Sequence, residues 1–270
     1  MQCLDKKPKK INVKEFRHRR ADDADCSSII TEDTVVLKDG VPVIVYIKNA
    51  AGNTSAAFKA LQSIKYQRDR RTSGLVTESR IFGYSPRNGP RNAPCRATVM
   101  NREYPEQYHL LENLAEGASE QYHKVNELLA KHHKSLTDER VLPNYKIGES
   151  MFTSGIINHN NPLNYHFDSG NYKGVWSAMF GFKRQVKGGH LACPEYDMKL
   201  EIADGSLTLF DGQSILHGVT PIRKMSKAAK RYTVVFYSLR QMWSCEEPYD
   251  ELERMRKYRM EIEKKRRFKQ

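Results

Sequence analysis

His166 and Asp168, in Tyr165-His166-Phe167-Asp168-Ser169-Gly170-Asn171, are the residues of this chain best placed to hold a metal ion. On a strand, residues two apart project from the same face, so one imidazole nitrogen and one carboxylate oxygen can reach the same ion. A bare H-x-D triplet is weak evidence by itself. The third candidate is His217, forty-nine residues past Asp168, in Leu216-His217-Gly218-Val219-Thr220-Pro221. Two histidines and a carboxylate make the facial triad that binds non-haem Fe(II) and leaves coordination positions open. A closed zinc site would want four ligands, usually with thiolate, and no cysteine lies near His166 in sequence, although Cys193 could approach.

Downstream, Lys230-Arg231-Tyr232-Thr233-Val234-Val235-Phe236-Tyr237 reads as a strand with Arg231, Thr233, Val235 and Tyr237 on one face. A buried arginine there needs an anion. The remote carboxylate of 2-oxoglutarate fits a guanidinium beside a hydroxyl, while its keto-acid end chelates the metal. The alternative is an edge-strand arginine facing solvent. Ser154, Tyr165, Trp176 and His190 could line the same interior but are more often packing residues, and they stay outside the catalytic set.

Several elements must position these groups. From Pro143 onward, short β-type runs punctuated by glycine and asparagine suggest a sandwich or barrel: Phe152–Asn158, Tyr165–Phe167, Trp176–Phe182, His190–Pro194, Leu207–Phe210, Ser214–Val219 and Tyr232–Leu239. Upstream, Thr34–Leu37 and Val41–Ile47 flank Asp39-Gly40, the pair that supplies positive φ to a tight hairpin. A helix is expected from an N-cap at Thr54 or Ser55 to about Arg70. A second is expected from about Pro105 to His133, with Tyr108, Leu111, Leu114, Ala118, Tyr122, Val125 and Leu128/Leu129 on its core face. Residues 1–30 read as a flexible basic arm, 31–243 as the main domain (31–150 the hairpin, helices and a basic loop; 151–243 the metal-binding core), and 244–270 as a basic helix.

The 270 residues carry a formal charge of +13, and its distribution is informative. Residues 1–20 contribute +6 and 254–270 contribute +7, while 65–102, expected to be mostly loop, holds nine Lys/Arg against Asp69 and Glu78. Arginine forks interleaved with Tyr66, Phe82 and Tyr84 suit phosphates and bases; the alternative is that the charged ends only solubilise. No apolar run approaches the roughly 18 residues of a bilayer span, and the first residues lack the apolar stretch of a secretory signal. Five scattered cysteines without a C-x-x-C pair argue against disulfides and for a reducing, intracellular compartment, nuclear or, in a microbe or virus, cytoplasmic.

With these residues in view, the chain resembles the Fe(II)/2-oxoglutarate dioxygenases, and among them the TET/JBP group that oxidises the methyl of 5-methylpyrimidines in nucleic acid. The resemblance covers about 150–243. It rests on His166, Asp168 and Asn171 as H-x-D-x-x-N, His217 as the distal histidine, and Arg231, Thr233 and Tyr237 as R-x-[ST]-x-x-x-Y. It implies an α+β fold with a double-stranded β-helix, or jelly-roll, core. It also implies Fe(II), 2-oxoglutarate and O2 as cofactor and co-substrates, and double-stranded DNA with a flipped base as partner of a monomeric chain. Asn171 would hydrogen-bond that base and Tyr237 would stack on it. Leu239 stands where animal relatives carry a histidine, their cysteine-rich zinc region has no counterpart, and Arg80, Arg87 and Arg96 are all candidates for their upstream arginine. Two other functions compete: a same-fold oxygenase acting on a protein or small molecule, and an inactive basic DNA-binding protein.

Overall fold

The computed structural model describes residues 1–70, 76–89 and 93–267; Arg71, Pro90, Arg91 and Lys269 of the basic segments lie outside them. The chain begins with β1 (Gln2–Asp5), a single turn α1 (Val13–Phe16), β2 (Ser28–Ile30), β3 (Thr34–Lys38) and β4 (Val41–Ile47). Helix α2 (Thr54–Ser63) leads to β5 (Gln67–Arg70), β6 (Val76–Ser85) and β7 (Arg96–Ala97), then α3 (Val99–Glu103), α4 (Pro105–Val125) and α5 (Glu127–Arg140). The second half carries β8 (Ser154–His159), β9 (Leu163–His166), β10 (Ser177–Arg184), β11 (Val186–Gly188), β12 (Leu191–Cys193) and β13 (Met198–Leu200). It closes with β14 (Leu207–Phe210), β15 (His217–Val219), β16 (Ile222–Lys224), β17 (Lys230–Tyr237) and α6 (Pro248–Arg267).

The fold is α+β with a jelly-roll core. A ten-stranded sheet in the order β1-β3-β4-β14-β10-β17-β8-β6-β5, with β7 on β6, faces a five-stranded sheet β2-β13-β12-β15-β9, and β11 pairs with β16. Strand alternation divides the larger sheet's side chains between two layers. Ala178, Phe180 and Phe182 of β10, with Tyr232, Val234 and Phe236 of β17, pack under Leu61 of α2 and Leu111 and Tyr122 of α4. From the opposite face, Ile44, Met179 and Phe210 meet Leu191, Met198 and Leu200 of the smaller sheet. The functional face of β17 therefore points between the sheets.

The Asp39-Gly40 hairpin forms as expected, with φ of 52° and 77°. Other expectations need correction. Asn53 rather than Thr54 or Ser55 caps α2, its Oδ1 accepting from Ala56 N–H at 3.1 Å, and the helix stops at Ser63 so that the chain can enter β5. The second long helix breaks at Asn126, which leaves helical geometry and caps α5 by accepting from Leu129 N–H. Tyr108, Leu111, Leu114, Ala118 and Tyr122 are buried as read, but Leu128 lies beyond the break and is exposed.

Part of the segment read as a basic loop is β-sheet: β5, β6 and β7 all lie within it. β5 and β6 are paired, and β6 also pairs with β8 over Glu78–Gly83, with Phe82 fully buried. The arginines had hidden a strand whose alternate residues pack. Residues 1–30 likewise contain regular structure, because β1 pairs in parallel with β3 and β2 with β13. Helix α6 buries Glu251 and Met255. Cys95 and Cys245 form a disulfide across 150 residues of sequence, contrary to the expectation drawn from scattered cysteines. Spacing along the chain says nothing of proximity across it. Among the described residues no helix is long and apolar enough to cross a membrane.

Candidate active site

His166 ends β9 and His217 begins β15, and the two are directly opposed in the antiparallel pair, with ring centroids 4.4 Å apart. Asp168 follows β9 by two residues, its backbone held by Asp168 N–H donating to the Gly212 carbonyl at 2.8 Å. One Asp168 oxygen lies 3.5 Å from His166 Nε2 and 3.7 Å from His217 Nε2. All three side chains offer ligand atoms within 4.8 Å of one another.

The imidazoles are oriented from behind. His166 Nδ1 meets the Asn164 carbonyl at 2.8 Å and His217 Nδ1 the Ile215 carbonyl at 2.9 Å. A carbonyl only accepts, so Nδ1 carries the proton in both rings and the Nε2 lone pairs face the centre, as metal-binding histidines require. Burial lowers the His217 pKa, which favours the neutral ligand form, and Phe210 packs edge-on against its ring. The donor set, two neutral imidazoles and one carboxylate with no thiolate among them, suits Fe(II). Cys193 is buried elsewhere in the smaller sheet, in the apolar cluster with Met198 and Tyr196.

A cavity of about 340 Å³ opens onto this centre, and Asn171, Thr233, Tyr237 and Leu239 line it with the three ligands. Asn171 donates through Nδ2 to Ser177 Oγ at 3.2 Å, and its backbone bridges to Leu239. Burial, with a smaller contribution from Asp168, pushes the Tyr237 phenol up to about 12, so it stays protonated. Asn158 and Ser177 also line the cavity. Sequence reading missed both, although Asn158 sits opposite Thr233 in the β8–β17 register.

Arg231 lies beyond Thr233 on the same strand face and is 1% exposed. Nη2 donates to the Gly189 carbonyl at 2.8 Å, while Nε and Nη1 are buried with no hydrogen-bond partner among the described residues. Burial alone pulls this guanidinium down to about 10, still charged at neutral pH. A buried cation with idle donors is incomplete without an anion. The residues present thus fit a carboxylate ligand here, as they fit a metal at the triad.

The three arginine candidates lie elsewhere. Arg80, 8% exposed, pairs with Glu103, and Arg87 makes a two-pronged contact to buried Glu251, its Nε at 3.0 Å. Arg96 is exposed on β7. None lines the cavity. Tyr165 and Trp176 are packing residues: Tyr165 donates to Asp25, and Trp176 stacks on Tyr122. Ser154 donates to the Tyr84 carbonyl.

Comparison with known proteins adds to this geometry. A family model, Tet_JBP, described as the oxygenase domain of the 2OGFeDO superfamily, matches residues 79–240. The bifunctional helicase and thymine dioxygenase JBP2 of Leishmania braziliensis is 23% identical over 204 residues, which is 75% of this chain but only 18% of that relative. The solved structure of NgTET1 in complex with 5mC DNA aligns with a TM-score of 0.64 at 16% identity, covering 90% of this chain and 84% of that one, a likeness of fold. A 2OG-Fe(II) oxygenase-family oxidoreductase from Burkholderia pseudomallei aligns at 0.49 and 15% identity, over 72% of this chain and 85% of that one.

Proposed function

The chain belongs to the Tet_JBP family of oxygenase domains in the 2OGFeDO superfamily, and from that premise we propose that it is an Fe(II)/2-oxoglutarate-dependent dioxygenase that hydroxylates the methyl group of a 5-methylpyrimidine, 5-methylcytosine or thymine, in DNA. The observation that carries the reading is one cavity that joins the His166, Asp168 and His217 cluster to Asn171 and Tyr237. A metal alone would serve many reactions; a metal beside an amide and an aromatic face suits a planar heterocycle.

His166 and His217 would hold the iron through Nε2 and Asp168 through a carboxylate oxygen. Arg231 and Thr233 would bind the far carboxylate of 2-oxoglutarate, the guanidinium gaining the anion that its idle donors lack. When bound, iron, 2-oxoglutarate and O2 together supply the oxidising power that turns a C–H bond into C–OH, with release of succinate and CO2. This chain's part is to orient the methyl group toward the metal and to exclude bulk water. Asn171 offers an amide to the polar edge of the base, Tyr237 its ring to the face, and Leu239 an apolar rim.

A methyl group inside a duplex cannot reach such a cavity, so the base must be flipped out, at a cost of a few kcal/mol that phosphate contacts offset. Arg96 and Lys257, Arg259, Lys264 and Lys265 of α6 are exposed cations that would supply them. Two similar proteins support this choice of substrate, JBP2 as a thymine dioxygenase and NgTET1 as a fold neighbour solved in complex with 5mC DNA. The test is to incubate the protein with Fe(II), 2-oxoglutarate, O2 and methylated or ordinary duplex DNA, then analyse nucleosides by mass spectrometry and measure succinate. Hydroxymethylated nucleoside with stoichiometric succinate supports the proposal. Succinate formation stimulated by a protein or small molecule but not by DNA, or DNA binding without turnover, overturns it.

A further inference from the structure

A second cavity, of about 480 Å³, lies at the opposite end of the barrel from the base-binding residues. Tyr237 and Arg231 are six residues apart on β17, a span of roughly 20 Å at about 3.3 Å per residue. Asn171 and Leu239 flank the Tyr237 end. Asn160, which lines the second cavity, brackets the Arg231 end: its N–H donates to the Arg231 carbonyl at 2.8 Å, and its Oδ1 accepts from Arg231 N–H at 2.9 Å. Leu163 and Val219 line both cavities, so the second one abuts the metal-side chamber.

The second mouth carries positive charge. Arg20 and Lys224 line it, both exposed, and neither is in an ion pair among the described residues. The chain that presents Arg20 is fixed along β9: His18 N–H donates to the Tyr165 carbonyl at 2.8 Å, Tyr165 N–H to the Arg19 carbonyl at 2.9 Å, and Arg20 bridges to Asn164. Asp22, whose side chain accepts from Ala24 N–H, is the carboxylate that lines this mouth among the described residues, which leaves the lining with a net formal charge of +1. Asn164 Oδ1 at this mouth, and Nε and Nη1 of Arg231, which packs beside Gly189 together with the lining residue Ile222, are buried without hydrogen-bond partners among the described residues.

Resting on the function proposed above, we propose that this second mouth is the access route of the dicarboxylate co-substrate. Arg20 and Lys224 draw a small dianion to the Arg231 end of the barrel, while the base occupies the Tyr237 end. Co-substrate and dicarboxylate product then exchange without release of the DNA. Opposite-charge steering raises an association rate and fades with salt, whereas it leaves the dissociation rate nearly unchanged.

The experiment follows 2-oxoglutarate binding to the anaerobic Fe(II)-loaded full chain by stopped flow, through the charge-transfer absorbance of the complex, with and without saturating methylated duplex. The Arg20→Ala/Lys224→Ala protein serves as comparison, and thermal melting checks its fold. The expected result is an association rate several-fold lower in the variant at low salt, converging with wild type at high salt, and an uptake rate in wild type that DNA leaves within about twofold. Equal rates in variant and wild type, or uptake blocked by DNA, would overturn the second route and leave the enzyme assignment standing. Absence of any 2-oxoglutarate complex in wild type would overturn both.

Discussion

Gly212 packs so closely against Asp168 that a β-carbon added to the glycine would lie 2.2 Å from Asp168 Oδ2 and 3.3 Å from the His217 ring. The Gly212 carbonyl also accepts the Asp168 N–H at 2.8 Å. The backbone after β14 is therefore the wall against which the carboxylate is set, and the absence of a side chain there lets it turn toward the two imidazoles.

Gly212→Ala should displace the carboxylate and weaken Fe(II) or Mn(II) binding by at least tenfold, the scale of lost support around a metal ligand. The melting temperature should stay close to wild type, because the site lies at the cavity rather than in the packed layers. Titration with Mn(II) followed by electron paramagnetic resonance, beside a melting curve, checks this; unchanged affinity would show that Asp168 is not held by this wall.

Arg231 is a buried guanidinium with two donors unpartnered among the described residues, so its removal should cost the free protein little. Arg231→Met should melt no lower than wild type in the absence of ligand, since apolar replacement of a buried charge is often neutral or stabilising. It should lose 2-oxoglutarate binding by calorimetry, and Arg231→Lys should restore little, lacking the planar fork. A destabilised Met variant with intact co-substrate affinity would contradict the assignment.

His133 gives a pH prediction independent of the metal. Its ring is fully buried among Tyr122, Phe152 and Tyr172, and Nε2 meets Ser238 Oγ at 2.8 Å. Ser238 donates to the Met151 carbonyl, so the histidine donates to Ser238 and Nδ1 has no partner among the described residues. Burial lowers this pKa from 6.5 to about 3. The unfolded chain therefore takes up the proton first, and the stability that the neutral ring provides is complete above pH 6.5 and declines as pH falls toward 3. Between pH 6.5 and 5 the loss should be on the order of 2 kcal/mol. Denaturant titrations across that range should show this part of the slope missing in His133→Phe.

The disulfide should matter to global stability. Closing a loop of this length constrains the unfolded chain by about 5 kcal/mol at most in the chain-entropy description. Reduction with a dithiol should lower the melting temperature and expose two further alkylatable thiols by mass spectrometry; an unchanged label count would mean that Cys95 and Cys245 are not bonded.

The site was more legible in the sequence than the scaffold around it. Arg231, Thr233 and Tyr237 follow strand alternation along β17, a local rule that the R-x-T-x-x-x-Y pattern carries directly, whereas the H-x-D pattern marks His166 at the end of β9 and Asp168 in the loop just past it. The contacts that complete the site, Gly212 against Asp168 and Asn158 opposite Thr233, are products of pairing between strands distant in sequence, and no local pattern encodes them. β6 was hidden because Glu78 and Arg80 look solvent-bound, yet Arg80 is buried against Glu103 at the sheet's flank. Val125 and Leu128 continue a helical stripe on paper, but Asn126 caps a new helix and resets the phase. The N-terminal segment lacks apolar periodicity because β1 is ordered by parallel edge pairing with β3, and Leu4 is the residue of that strand packed against the core.

The claim on which the rest depends is that three side chains hold one metal ion. Anomalous scattering from crystals loaded anaerobically with Fe(II) tests it directly. The prediction is a single strong iron peak within bonding distance of His166 Nε2, His217 Nε2 and an Asp168 oxygen, absent in crystals of His217→Ala. A metal-loaded crystal with no peak there, or with the peak elsewhere, would contradict it.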